Sequence, residues 1–147
     1  MADFQKASGD QGRAFEANVE SVLVASGAEV VQHNWTDPVS GEQVDFVART
    51  PNGVEFWVEA KGSWQGKTMG LQRSDTTKKA VANAWHLQYV HGEDRPPYIL
   101  VGSHLPKAGT VAEKEIEHAK EAGLFSAVIV PDDLKATVMA IDAGTFT

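Results

Sequence analysis

An acidic side chain and a lysine stand two positions apart at the end of a short apolar segment of this sequence. The segment 57–62 reads WVEAKG and contains Glu59 and Lys61. Because successive side chains of a β-strand point to opposite faces, a strand here directs Glu59 and Lys61 to the same face. Charges at such an apolar place reduce stability unless they have partners. The pattern therefore favours a functional site over the alternative, an ordinary ion pair on the surface of an edge strand.

A second acid, Asp45, is predicted to lie opposite Glu59. Residues 51–53 read PNG, which is a turn sequence that favours a hairpin between segments 43–49 and 54–61. A loop made of these three residues pairs Asp45 directly with Glu59. A loop longer or shorter by one residue moves the pairing by one position, so this register is a prediction for the structure to test.

This combination of side chains suits phosphodiester hydrolysis. The carboxylates of Asp45 and Glu59 repel each other at close range, and a divalent cation between them removes the conflict. Ligands that are all oxygen favour Mg²⁺, or Mn²⁺ in its place, over zinc, and the backbone carbonyl of Ala60 can reach a metal held by its neighbours. Such a metal polarises a phosphoryl oxygen and acidifies a bound water. Lys61 would orient or deprotonate that water, or stabilise the growing negative charge.

An acid on one strand, a turn, and a Glu-x-Lys at the end of the next strand together resemble the PD-(D/E)xK superfamily of restriction-endonuclease-like nucleases. Val44 stands where the family name has a proline, which is often missing in the superfamily. In many members an acid on the first helix joins the metal site, and the run 12–16, GRAFE, is similar to that helix. The resemblance thus implies Glu16 as a further metal and catalytic carboxylate, against the alternative of a solvated helix position. Recognisable residues cover about half of the chain, residues 12–87, and are most similar to small Holliday-junction-resolvase-like and Mrr-like members.

The segment 72–79, QRSDTTKK, opens a helix directly after the loop that follows the predicted site. Arg73, Lys78 and Lys79 are candidates for binding DNA phosphates with help from the helix N-terminus. Gln72 is a weaker candidate that could approach the site. The alternative for the whole segment is a solvated helix start with a Ser or Asp side chain as its cap.

The elements that must position these residues are predicted in the order α-β-β-β-α-β-α-β. Helices are expected over 10–26, 75–89 and 110–123, strands over 28–35, 43–49, 54–61, 98–102 and 125–130, and a short final helix after residue 131. This order favours an α/β fold with a mixed central sheet flanked by helices. The resemblance identifies it as a restriction-endonuclease-like core. We expect a single domain over residues 1–147, of which about 1–8 form a loose N-terminus.

The composition and the motifs that the sequence lacks exclude several classes of protein. The 147 residues include no cysteine, which excludes a disulfide framework, a thiolate metal site and a cysteine nucleophile. The sequence also lacks a Ser-His-Asp order, a Walker loop and a dinucleotide-binding glycine motif. No apolar stretch approaches the roughly 20 residues of a membrane span. We therefore expect no membrane partner and a cytoplasmic location, in a bacterial, archaeal or phage-infected host cell.

The formal net charge of −7 argues against a broad basic surface that coats nucleic acid, but it leaves room for a local basic patch. The expected function is that of a Mg²⁺-dependent endonuclease acting on DNA in processing, restriction or junction cleavage, as a homodimer or with a partner subunit. Two alternatives stay open. One is a nuclease-fold subunit that binds DNA or completes a complex without cleaving. The other is an acidic protein-interaction domain in which Asp45, Glu59 and Lys61 form a structural ion network.

Overall fold

A computed structural model describes residues 2–62 and 70–145 of the chain, with side chains from residue 10 onward. The predicted order of elements is confirmed within these residues, and the short final helix is present as α4. The elements are α1 (Ala2–Ala25), β1 (Glu29–Thr36), β2 (Gln43–Arg49), β3 (Glu55–Lys61), α2 (Ser74–His91), β4 (Tyr98–Gly102), α3 (Val111–Glu121), β5 (Ala127–Ile129) and α4 (Leu134–Asp142). Short 3₁₀ turns at Gly70–Gln72, Gly92–Asp94 and Pro131–Asp133 connect some of them.

The strands form one mixed sheet in the order β1-β2-β3-β4-β5. The pairs β1–β2 and β2–β3 are antiparallel, whereas β3–β4 and β4–β5 are parallel. Parallel neighbours need a crossover connection, and α2 and α3 provide the two crossovers. The chain is thus a mixed α/β protein. The carboxyl ends of β3, β4 and β5 lie along one edge of its sheet.

The hairpin between β2 and β3 has the predicted register. The backbone N–H of Thr50 donates to the carbonyl of Val54 at 2.9 Å, which closes the turn 51–53. The two strands remain paired as far as Phe46 opposite Val58. The next pair on this register is Asp45 and Glu59, the two acids that the sequence predicts to meet.

Helices cover both faces of the sheet, as the sequence predicts. Helices α1 and α4 pack on one face through a cluster that includes Phe15, Val19, Leu23, Phe46, Phe56, Val58, Leu134 and Val138. Helices α2 and α3 pack on the other face through Trp57, Ala84, Leu87, Leu100 and Ile116. Trp57 and Val58 lie in different clusters, so the alternation predicted for β3 is confirmed. Among the described helices, none is long and apolar enough to cross a membrane.

Some element boundaries differ from those predicted. Helix α1 begins at Ala2, so most of the segment predicted to be a loose N-terminus continues the helix. Alanine, glutamine and lysine in this segment favour helix, which offsets the roughly 1 kcal/mol that a glycine such as Gly9 costs. Strand β5 is limited to Ala127–Ile129, and Phe125 before it is buried in the core without being part of the strand.

Candidate active site

Asp45 lies where strands β2 and β3 separate. Its Oδ2 accepts a hydrogen bond from the backbone N–H of Ala60 at 2.8 Å. A side-chain oxygen therefore satisfies a donor that would otherwise need a partner on the neighbouring strand. Across the β1–β2 register from Asp45 lies Asn34, which has a φ of 48°, a left-handed conformation that is uncommon outside glycine. At Asp45, β2 thus leaves its pairing with β3 while it stays paired with β1 on either side of this residue.

Glu59 connects the residues that the sequence predicts to act together. Its side chain forms a hydrogen bond with that of Asp45. The Nζ of Lys61 lies 3.3 Å from Glu59 Oε1. On the other side, the hydroxyl of Tyr98 donates to Glu59 Oε2 at 3.2 Å. The structure therefore brings Asp45, Glu59 and Lys61 into one cluster, with Ala60 attached to it through the contact with Asp45.

Glu59 is only 3% exposed, and its ionisation reflects this environment. Burial and, after it, the charge of Asp45 raise the pKa of Glu59 from 4.5 to about 8, against the opposing charge of Lys61. A carboxyl with this pKa holds a proton at neutral pH. Two ionised carboxylates in contact repel each other. The proton on Glu59 therefore makes its hydrogen bond with Asp45 favourable.

Glu16 on α1 is coupled to the same cluster. Burial raises the pKa of Glu16, the charge of Asp45 adds to this rise, and Lys61 and Arg13 act in the opposite direction. Glu16 lies between two cavities. One, of about 290 Å³, is also lined by Ala60 and Lys61, and the other, of about 180 Å³, is also lined by Asp45. The helix thus contributes an acid beside the cluster.

The predicted DNA-binding residues divide into two groups. Arg73 and Lys79 line the same cavity as Lys61. Lys78 instead forms an ion pair with Glu115 of α3. The side-chain carbonyl oxygen of Gln72 is buried and has no hydrogen-bond partner among the described residues. Only part of the predicted basic segment therefore adjoins the acid cluster.

Two glycines hold the chain close to the end of β4 at the site. A Cβ atom on Gly62 would lie 2.3 Å from Ser103 Oγ, and one on Gly70 would lie 2.7 Å from the same atom. Real Cβ atoms essentially never approach so closely, so both positions require glycine. In addition, the Ser103 N–H donates to the carbonyl of Lys61 at 3.2 Å. The chain therefore has two fixed points against Ser103. One is Gly62, where it leaves β3, and the other is Gly70, before it enters α2.

The oxygen donors of the cluster fit a hard divalent cation. Asp45 and Glu59 provide carboxylates and Ala60 a backbone carbonyl, which are the ligand types of Mg²⁺. Among the described residues, no three His, Asp or Glu side chains are grouped so that they could hold a metal ion, so Glu16 is not placed as a third direct ligand. Mg²⁺ commonly relies on one or two carboxylates together with water and substrate phosphates. Asp45 at the wall of one cavity, with Glu59 buried against it, is compatible with that mode of binding.

Tyr98 is the functional candidate that the sequence pattern missed. It is 39 residues from Glu59 in the chain and belongs to no part of the acid–lysine motif. The only signal in the sequence is a hydroxyl-bearing residue at the start of an otherwise apolar strand, Tyr98–Gly102.

The fold and the cluster together define a mixed α/β protein with an acid–lysine site where two strands of its sheet separate. No protein-family model matches the chain, and neither a curated protein nor a solved structure matches it. An assignment to a class of enzyme therefore depends on the residues and geometry of the site itself.

Proposed function

We propose that this protein is a Mg²⁺-dependent endonuclease that hydrolyses DNA phosphodiester bonds, built on a restriction-endonuclease-like core. The observation that carries this proposal is the contact between Asp45 and Glu59, with Lys61 Nζ at 3.3 Å from Glu59 Oε1. A divalent cation between two carboxylates removes their mutual repulsion, and carboxylate oxygens are ligands that Mg²⁺ prefers.

Each residue of the cluster has a role in this proposal. Asp45, Glu59 and the carbonyl of Ala60 would hold the cation, and Glu16 would act from beside them. A bound divalent cation supplies Lewis-acid activation of the phosphate and of a water molecule. Lys61 stands at the cavity wall, where its ammonium group can orient the attacking water and stabilise negative charge on the phosphate.

The basic residues at the start of α2 support DNA as the substrate. Arg73 and Lys79 line the cavity beside Lys61, so they can bind phosphates on either side of the bond that is cut. This local concentration of positive charge is compatible with a net charge of −7 on the whole chain. Because one site faces one strand, cutting both strands of a duplex would need a homodimer or a partner subunit.

A nicking assay on supercoiled plasmid tests the proposed activity. With Mg²⁺ or Mn²⁺ present, we expect the wild-type protein to nick DNA and Glu59→Gln, Asp45→Asn and Lys61→Met each to lower the rate at least about 100-fold, as removal of a charge-stabilising group does in other enzymes. Glu55→Gln is the matched control, because Glu55 is on the same strand but exposed. If the wild-type protein cuts none of plasmid, single-stranded, flapped and four-way-junction DNA with either metal, the proposal is wrong.

Two adjacent lysines test the direction from which DNA approaches. Lys79→Ala should weaken DNA binding and lower the slope of log affinity against log salt by about 1, because one phosphate contact is lost. Lys78→Ala is its control, since Lys78 is paired with Glu115. Binding can be measured by fluorescence anisotropy at several salt concentrations. Equal losses in the two variants would contradict the placement of DNA over the cavity.

The net charge of −7 favours one alternative, a nuclease-fold subunit that binds DNA or completes a complex without cleaving it. The two functions differ in their response to metal. A nuclease is stabilised by the ion that it binds, whereas a non-cleaving subunit has no requirement for one. A melting temperature that is insensitive to Mn²⁺, with DNA binding intact, would support the alternative.

A further inference from the structure

Tyr98 reaches Glu59 along the sheet from the start of the neighbouring strand. In the parallel register of β3 and β4, Tyr98 lies opposite Trp57, and Glu59 lies opposite Leu100. A tyrosine side chain is long enough to span the two residues between these positions. Its hydroxyl consequently meets Glu59 Oε2, at 3.2 Å.

Contacts with Phe125 and Arg95 fix the position of the Tyr98 ring. Tyr98 is fully buried, and its ring stacks on that of Phe125 with the centroids 5.7 Å apart. The guanidinium of Arg95 lies over the ring at 5.6 Å from its centroid. Arg95 itself is held by a hydrogen bond from its Nη1 to the carbonyl of Leu124 at 2.7 Å. The position of the hydroxyl is therefore set by packing and does not depend on Glu59.

Two donors thus hold the two oxygens of the Glu59 carboxyl. Tyr98 donates to Oε2, and Lys61 lies 3.3 Å from Oε1. A buried carboxyl oxygen that loses its donor is strongly unfavourable, so the group would rotate to find another. Such rotation would carry Oε1 away from Lys61 and change how the carboxyl meets Asp45.

We propose that Tyr98 is the positioning residue of the site: its hydroxyl holds Oε2 of Glu59 and so fixes the orientation in which that carboxyl meets Asp45, Lys61 and a divalent cation. This inference rests on the proposed nuclease function for the cation, but the hydrogen bond itself can be tested without metal. Tyr98 does not touch the reacting atoms, and its effect passes through Glu59 alone.

The experiment compares Tyr98→Phe with Tyr89→Phe in the full chain. The sequence has two tyrosines, and Tyr89 is 75% exposed, so it provides a matched loss of one hydroxyl. In metal-free protein labelled with ¹³C at the glutamate carboxyls, Glu59→Gln assigns the Glu59 resonance. We expect this resonance to move in Tyr98→Phe and to stay in place in Tyr89→Phe. Calorimetry should show Mn²⁺ binding 10- to 100-fold weaker in Tyr98→Phe only, as loss of a group that orients a metal ligand commonly causes.

A second change protects the test against misfolding of Tyr98→Phe. Fluorotyrosine incorporated at both tyrosines retains the hydroxyls and makes them stronger donors, so the Glu59 resonance should move in the opposite direction. Either of two results would overturn the positioning role while the nuclease proposal stands. One is that neither the Glu59 resonance nor the Mn²⁺ affinity changes when the Tyr98 hydroxyl is lost. The other is that fluorotyrosine does not shift the resonance. A different result would overturn the nuclease function, and with it the role of Tyr98 towards a metal. In that case the wild-type protein neither binds Mn²⁺ nor cuts DNA, while the Glu59 resonance still responds to loss of the Tyr98 hydroxyl.

Discussion

Glu59 and Asp37 are both almost excluded from water, with 3% and 1% of their surfaces exposed, yet their pKa values are shifted in opposite directions. Glu59 ends the apolar part of β3, and Asp37 lies in the turn after β1. Burial by itself raises the pKa of each, because it disfavours the charged form. The difference must therefore come from the groups that surround the two carboxyls.

Asp37 is surrounded by donors. The backbone N–H and the hydroxyl of Ser40 donate to Asp37 Oδ2 at 3.1 Å and 2.6 Å. The Nε2 of His91, at the end of α2, lies 2.8 Å from the same oxygen. Burial raises the pKa of Asp37, but the hydrogen bonds from Ser40, His91 and the Val39 N–H outweigh it and hold the pKa below its usual value.

Glu59 has a different set of neighbours. One of them is a second acid, Asp45, and the charge of Lys61 does not compensate for burial. The comparison separates two uses of a buried carboxyl. Asp37 joins the turn after β1 to α2 and needs nothing more, whereas the acid pair at Glu59 is complete only with a proton or a cation.

The largest expected effect is on the pH dependence of stability. The pKa of Glu59 is about 8 when folded and 4.5 when unfolded, so the folded state holds an extra proton between these values. The resulting stabilisation is full below pH 4.5 and is lost as the pH rises through 8, by about 5 kcal/mol on the linkage relation. Urea denaturation from pH 5 to 9 should show the wild type losing stability relative to Glu59→Gln. Parallel curves for the two proteins would contradict this.

A smaller effect is expected from neutralising the other acid. Asp37→Asn removes the charge that accepts hydrogen bonds from Ser40 and His91, and should lower the free energy of unfolding at pH 7 by about 2 kcal/mol. Asp94→Asn, at an exposed position, is the control. DNA nicking per folded molecule should be unchanged in Asp37→Asn. A loss of nicking as large as that in Glu59→Gln would mean that Asp37 also serves the site.

The smallest effect concerns one donor of Asp37. His91→Gln removes the imidazole but leaves both hydrogen bonds from Ser40, so we expect a loss of about 1 kcal/mol. The same denaturation measurement detects it. A loss greater than that of Asp37→Asn would show that His91 acts chiefly through its edge-on contact with Trp57, whose ring centroid is 5.5 Å away.

The sequence predicts the acid–lysine cluster because every step in it is local. The turn 51–53 sets the register of β2 and β3, and the alternation of β3 puts Glu59 and Lys61 on one face. Neither step depends on how the helices pack. This is why Asp45 and Glu59 are adjacent in the structure as the sequence predicts.

Contacts between distant segments could not be predicted in this way. Successive residues of a helix point about 100° apart, so whether Lys78 or Lys79 faces the cavity depends on how α2 rests on the sheet. Similarly, Tyr98 meets Glu59 through the parallel register of β3 and β4, which no short sequence motif specifies. The link from Asp37 to His91 spans 54 residues and has the same origin.

The close approach of Gly62 and Gly70 to Ser103 has a consequence for engineering. Both anchors lie against the end of β4, and the sequence between them is residues 63–69. Two fixed ends are what a graft requires. A design can therefore exchange the sequence between Gly62 and Gly70 while the strand that holds Lys61 stays where it is.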